Sequence, residues 1–193
     1  GTPIRAELFK GDRQKGLEIC GFDGTKPVLL QMGGSLGAVK LNDALRESLP
    51  SLLKDFDIIH LCGKGHKEES LEGTKGYRQF EYVTDELADL FAATDVIIAR
   101  AGSNSISEFL ALKKPHLLIP LSAKASRGDQ ILNAASYEKQ GFAMVLAEEE
   151  LTAATMEEKV RELYANRETY IAAMEKSTQN NGVEAVMSLI RQF

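Results

Sequence analysis

Short apolar runs alternate with stretches of helical periodicity along this chain. The pattern predicts six strands, which are Val28–Met32, Phe56–Cys62, Tyr77–Val83, Val96–Ala99, His116–Pro120 and Phe142–Leu146. Most of these runs are continuously apolar and do not alternate with polar residues. Such runs are typical of strands that are covered on both faces, as in a parallel sheet.

Helical spacing of apolar residues fills the segments between the predicted strands. Residues 128–140 form one of the shorter candidates, and three further helical stretches follow the last strand, at about 152–165, 167–177 and 181–191. A leading helix is expected over residues 5–20. We therefore expect a single domain over residues 1–193, in which residues 1–26 are a leading helix and linker and residues 152–193 are C-terminal helices.

The alternation of strand and helix predicts an α/β fold with a doubly wound parallel sheet of six strands. Right-handed crossovers make this sheet Rossmann-like, with the strand order 3-2-1-4-5-6. Ligands bind such sheets beyond the carboxyl ends of the strands, where the strand order reverses. The reversal lies between strands one and four, and the loops after them are "GGSLGA" and "ARAGSNSISE".

Composition places the chain among soluble globular proteins. It has 193 residues, 44% hydrophobic and 26% charged, with a net charge of −5. The negative charge argues against nucleic acid as a partner, and no apolar run is long enough to span a bilayer. Two cysteines, Cys20 and Cys62, favour a reducing cytoplasm. The sequence begins at Gly1 without a Met, so we expect a piece of a longer protein.

The loop after strand one can bring bare backbone close to a ligand. Gly33 and Gly34 carry no Cβ, Ser35 adds a hydroxyl group, and the following helix offers free N–H groups that favour phosphate. The loop is neither the G-x-G-x-x-G fingerprint nor a P-loop. The alternative is a tight turn in which Gly37 eases packing of the helix on the sheet.

The loop after strand four holds a second cluster of donors. Residues 102–105 open another helix, and Glu108 follows in its first turns. A carboxylate can accept hydrogen bonds from both hydroxyls of a ribose. The alternative is a capping box formed by Ser105 and Glu108. Two donor-rich loops at the predicted switch point, with an acid beside one of them, favour a nucleotide diphosphate.

Two other acidic segments bear on the chemistry. Asp129 follows strand five on the ligand side, where it is either a helix-start acid or, with Gln130, a contact to sugar hydroxyls. Asp55 and Asp57 form a D-x-D sequence, but they precede strand two at the opposite edge of the sheet. We expect a solvated turn there, and since the three histidines lack metal-ligand spacing, we expect no metal.

Several motifs in order resemble a known family. "GGSLGA", "HLCGKG", "FEYV", "ARAGSNSISEFLALKKP" and "RGDQILNA" are similar to the donor-binding half of the MurG family, in glycosyltransferase family 28. The resemblance covers nearly the whole chain. It implies the C-terminal half of a GT-B enzyme that transfers N-acetylglucosamine from UDP-N-acetylglucosamine to lipid I. The product is lipid II for peptidoglycan, made at the cytoplasmic face of the bacterial plasma membrane.

The resemblance also implies roles for individual positions. The phosphate contacts would come from Gly34, Ser35, Ser103, Asn104 and Ser105. Glu108 would hold the ribose, the ring of Tyr82 would lie against the uracil, and the backbone of Val83 would read the uracil edge. Asp129 and Gln130 stand where a pair of glutamines contacts the sugar, and Asp129 departs from that pair. Arg5 matches an arginine near the interdomain linker.

By the same resemblance, the other half of the enzyme supplies acceptor binding, membrane contact and the catalytic base. We therefore expect no catalytic residue in this chain and no metal or other cofactor. Three alternatives stay open. They are a diacylglycerol glucosyltransferase, which would differ around Asp129 and Gln130, a UDP-N-acetylglucosamine 2-epimerase, which needs acid and base groups around the sugar, and an NAD-binding domain, which the absent fingerprint disfavours.

Overall fold

The computed structural model describes residues 6–33 and 38–177. They contain a six-stranded sheet of order β3-β2-β1-β4-β5-β6 in which every neighbouring pair is parallel. The strands are β1 Val28–Met32, β2 Asp57–Leu61, β3 Tyr77–Phe80, β4 Val96–Ala99, β5 His116–Leu118 and β6 Ala143–Val145. The predicted fold class and strand order are therefore confirmed.

Helices cover both faces of the sheet. They are α1 Arg13–Cys20, α2 Ala38–Leu52, α3 Leu87–Ala93, α4 Ser103–Ala111, α5 Ala123–Ser126, α6 Asp129–Lys139 and α7 Ala153–Ala165. Residues such as Leu30 and Ile97 pack against α1, α3 and α4, while their neighbours Leu29 and Ile98 pack against α2 and α7. Burial on both faces explains why the strands are continuously apolar.

The predicted leading helix is interrupted. Residues Ala6–Lys10 form a 3-10 turn, and α1 begins only at Arg13. A Cβ on Gly11 would lie 2.0 Å from the carbonyl oxygen of Ala88, so the chain approaches α3 too closely for any side chain there. Asp12 then caps α1 by accepting a hydrogen bond from the amide of Lys15 at 3.1 Å. This break depends on a contact distant in sequence, which periodicity does not report.

Other predicted boundaries shift by a few residues. Strand β3 ends at Phe80 and not at Val83. The predicted helix at 128–140 is α6, and the short α5 precedes it. The stretch at 152–165 is α7, and residues 167–177 are also helical. The predicted helix at 181–191 lies outside the described residues.

Both cysteines are free thiols in the protein interior. Cys20 is 9% exposed at the end of α1, and Cys62 is fully buried just after β2. Burial raises the pKa of Cys20 to about 12 and also raises the pKa of Cys62. Within residues 6–33 and 38–177, no helix has the length and apolarity that a membrane span requires.

Candidate ligand site at the carboxyl edge of the sheet

The loops after β1 and β4 leave the same edge of the sheet, because the two strands are parallel neighbours. Gly33 ends the described part of the first loop, and α2 begins at Ala38. A Cβ on Gly33 would lie 2.9 Å from the Cβ of Ala38, so Gly33 lies directly against the first residue of α2. Gly34, Ser35 and Arg5 lie outside the described residues, and their predicted roles stay predictions.

The second loop presents the N-terminus of α4 at this edge. Gly102 is the N-cap and provides no side-chain cap. The first hydrogen bond of the helix runs from the amide of Ile106 to the carbonyl oxygen of Gly102 at 3.1 Å. The amides of Ser103, Asn104 and Ser105 thus have no acceptor within the helix. Together with the helix dipole, they form an arrangement that favours a phosphate.

Glu108 lies one turn further along α4 and is half-buried. Helical spacing places it on the same side as Asn104 and Ser105, four and three residues earlier. Because α4 begins at Ser103 with Gly102 as its N-cap, Ser105 is the third helical residue and not the cap. The capping-box alternative for Ser105 and Glu108 is therefore wrong, and the ribose contact stays a prediction.

Tyr82 and Val83 follow β3 in a loop that leads to α3, not in the strand as predicted. Tyr82 is 74% exposed. Val83, in contrast, is partly buried and packs against the core between the sheet and α3. Val83 thus anchors the loop while Tyr82 presents its ring to solvent. The side chain of Tyr82 borders a surface cavity of about 350 Å³ that it shares with Arg78 and Phe80.

Asp129 and Gln130 open α6 at the same edge of the sheet but face different ways. Asp129 is exposed. The Oε1 atom of Gln130 instead accepts hydrogen bonds from the amides of Ala101 at 3.2 Å and Leu121 at 3.0 Å. One turn on, Asn133 donates to the carbonyl oxygen of Ala101 at 3.0 Å. Gln130 therefore ties the loops after β4 and β5 together, a role that its place in the sequence did not indicate.

Arg100 places a buried cation beside this site. Its side chain is 5% exposed, and its Nη1 donates to Glu148 at 2.6 Å and to the carbonyl oxygen of Ile119 at 3.1 Å. Burial lowers the pKa of Arg100, and the hydrogen bond to Glu148 opposes that shift. Arg100 was not predicted from the sequence as a site residue, although a charged residue directly after a continuously apolar strand was a signal.

A buried polar network lies where α2 covers β2 and β3. Asn42 donates to the carbonyl oxygen of Cys62 at 2.9 Å, and its Oδ1 lies 2.7 Å from Nε2 of His60. Since that oxygen only accepts, Nε2 of His60 carries the proton, and Nδ1 accepts from the hydroxyl of Tyr77 at 2.6 Å. Burial lowers the pKa of His60 to about 3, so this histidine is neutral.

The D-x-D segment lies at the amino edge, as expected, but only half of it is solvated. Asp55 is in a turn and pairs with Arg161 at 2.7 Å. Asp57 begins β2 and is 7% exposed, so the prediction of a solvated turn is wrong for this residue. Across the described residues, no group of three or more His, Cys, Asp or Glu side chains is placed to hold a metal ion.

A doubly wound parallel sheet with a helix N-terminus that no side chain caps at its switch point defines a Rossmann-like α/β domain. Residues 28–190 match the model of the glycosyltransferase family 28 C-terminal domain. The chain therefore belongs to glycosyltransferase family 28.

Relatives within this family are similar over the whole chain. One, from Lachnospira eligens, is 55% identical over 99% of the chain, and another, from Geobacillus thermodenitrificans, is also 55% identical over 99%. Both are named UDP-N-acetylglucosamine--N-acetylmuramyl-(pentapeptide) pyrophosphoryl-undecaprenol N-acetylglucosamine transferase. The chain covers 54% of each, so it spans about half the length of these curated relatives.

A solved structure has the same fold. The MurG crystal structure from Acinetobacter baumannii has a TM-score of 0.69 and 25% identity. The match covers 98% of this chain and 56% of that one.

Proposed function

We propose that this chain is the donor-binding part of an inverting transferase that moves N-acetylglucosamine from UDP-N-acetylglucosamine to lipid I, making lipid II for peptidoglycan. The observation that carries the proposal is the open N-terminus of α4 at the switch point, in a chain of this family. The names of its relatives supply the identity of the donor and acceptor.

The chemistry follows from the leaving group. Negative charge builds on the β-phosphate of UDP as the bond to the anomeric carbon breaks. The amides of Ser103, Asn104 and Ser105 and the dipole of α4 can stabilise that charge without a metal ion. Glu108 would hold the ribose, Tyr82 and Val83 would hold the uracil, and Asp129 would face the sugar from the start of α6.

In this proposal, the acceptor is bound by a part of the full-length protein outside this chain. The chain spans about half the length of its relatives. We infer that the remaining part of the full-length protein binds lipid I, supplies the base that activates its hydroxyl group and contacts the inner face of the plasma membrane. The isolated chain should then bind UDP and UDP-N-acetylglucosamine but transfer nothing.

A calorimetric titration with UDP-N-acetylglucosamine, UDP-glucose and NAD tests this assignment. We expect the first ligand to bind best and NAD not to bind. Preference for UDP-glucose would favour a diacylglycerol glucosyltransferase, and binding of NAD alone would refute a sugar-nucleotide site. Transfer to a lipid I analogue by this chain alone would refute the division of labour.

A further inference from the structure

We propose that Glu148 is a positioning residue for the diphosphate, which holds Arg100 and Lys40 next to the two loops at the switch point. Glu148 lies after β6, in the 3-10 turn Glu148–Glu150, and neither its place in the sequence nor the family resemblance indicated a role for it. This role rests on the proposed function, because it concerns the same ligand site.

The stronger contact of Glu148 is with Arg100. The carboxylate oxygen Oε2 accepts a hydrogen bond from Nη1 of Arg100 at 2.6 Å, a distance typical of a charge-assisted pair. Water has little access to either group, since 5% of the Arg100 side chain and 15% of the Glu148 side chain are exposed. Removal of the carboxylate would therefore leave a buried cation without its counter-charge, which is costly.

Arg100 connects the carboxyl ends of three strands. It directly follows β4, its Nη1 also donates to the carbonyl oxygen of Ile119 after β5 at 3.1 Å, and Glu148 follows β6. Two residues after Arg100 comes Gly102, the N-cap of α4, where a Cβ would meet no atom within 4 Å. Side-chain packing does not fix the cap itself, so the anchored Arg100 helps to fix the amides of residues 103–105.

The weaker contact of Glu148 is with Lys40. The Nζ atom of Lys40 lies 3.7 Å from the other carboxylate oxygen, Oε1, and the Lys40 side chain is 65% exposed. An ion pair with so much access to solvent contributes little to stability. Lys40 lies in the first turn of α2, the helix that follows the first loop. One carboxylate thus reaches residues beside both loops, with Arg100 as its main partner.

A simple charge effect of Glu148 on the ligand would have the opposite sign. UDP carries negative charge on its diphosphate, so removal of a nearby carboxylate should strengthen UDP binding through the general electrostatic field. Loss of positioning should weaken UDP binding, because the amides that face the phosphates would no longer be held in place. The sign of the change in affinity therefore distinguishes the two roles.

Calorimetric titrations of UDP into the whole chain measure this sign. Glu148→Gln keeps the shape of the side chain and removes the charge that pairs with Arg100, and we expect it to weaken UDP binding by about tenfold. Glu149→Gln is the matched control, since Glu149 is an exposed acid in the same turn. Its UDP affinity should stay within about twofold of the wild-type value. Unchanged or tighter UDP binding in Glu148→Gln would overturn the proposal.

Uridine separates a local effect at the diphosphate from a general loss of structure. It shares the uracil and the ribose with UDP and lacks both phosphates. In Glu148→Gln, uridine affinity should therefore stay within about twofold of the wild-type value while UDP affinity falls. A partly unfolded chain would bind both ligands less well. An equal loss for uridine and UDP would contradict the positioning role.

Amide NMR spectra of the free chain give a reading that needs no ligand. The amide resonances of residues 103–105 should shift in Glu148→Gln and stay in place in Glu149→Gln. Unshifted resonances in Glu148→Gln would refute the positioning role, whatever the titrations show. If the wild-type chain bound neither UDP nor UDP-N-acetylglucosamine, the proposed function would fail, and the spectra would still show whether Glu148 holds the start of α4.

Discussion

Two buried histidines should make the stability of this chain fall steeply below neutral pH. His60 and His116 are both fully buried, and burial lowers their pKa values to about 3 and about 4. Nδ1 of His116 donates to the carbonyl oxygen of Lys114, and its Nε2 has no hydrogen-bond partner among the described residues. The Phe109 ring packs 5.2 Å from the His116 ring. A proton on Nε2 would therefore place an unsolvated charge in an apolar setting.

The direction and the magnitude of this change in stability with pH follow from proton linkage. Unfolding exposes both side chains, whose ordinary pKa is about 6.5, so below that pH the unfolded chain binds protons that the folded chain does not. The free energy of unfolding is therefore highest above pH 6.5. Below that pH it falls by about 1.4 kcal/mol per pH unit for each histidine, until the pH reaches the folded pKa values. Between pH 7 and pH 5 the two together should lose about 4 kcal/mol, a large part of a typical folding stability.

Urea unfolding followed by circular dichroism at pH 7, 6 and 5 measures this loss. His60→Gln and His116→Gln should each remove about half of the pH dependence, even where they lower stability at pH 7. His66→Gln is the control, because the His66 side chain is exposed. A wild-type loss below about 1 kcal/mol, or a slope that neither buried variant changes, would refute the reasoning.

Three further predictions concern the ligand. Glu108→Gln should weaken UDP binding by about ten- to a hundredfold and reduce the preference for UDP over 2′-deoxy-UDP. An unchanged preference would remove Glu108 from the site. Tyr82→Ala should cost on the order of 1 kcal/mol of UDP binding, with little change in melting temperature because its ring is exposed. Equal affinity for ADP and UDP in the wild-type chain would contradict its placement at the uracil. UDP affinity should be the same with Mg²⁺ and with EDTA, and a loss of about tenfold on chelation would reveal a metal site.

The sequence sufficed for the sheet because its signals there are local. Continuous apolar runs such as Val96–Ala99 indicate buried parallel strands. The right-handed crossover rule then predicts the order of these strands in the sheet. The same rule located the loops at the switch point. The ends of the strands were predicted less accurately, as β3 shows, because Tyr82 and Val83 are residue types common in strands although they lie in the loop after Phe80.

Contacts between distant residues account for the errors. Gly11 interrupts the leading helix because of Ala88, and Asp57 is buried although its neighbour Asp55 is solvated. For Gln130, its position after strand five and the family resemblance both indicated a contact to the sugar. Only the fold shows that its oxygen faces the backbone of two neighbouring loops. The direction in which a polar side chain points is a property of the tertiary structure.

The two buried thiols of the folded chain should react very little with thiol-labelling reagents. A thiolate is the reactive form of cysteine, and the raised pKa values of Cys20 and Cys62 keep both thiols protonated at neutral pH. A reporter cysteine introduced on the surface would therefore carry a fluorophore without removal of the natural ones. The natural thiols would react only when their surroundings open, so the labelling rate of Cys20 would time the detachment of α1, and that of Cys62 the fraying of the edge beside β3.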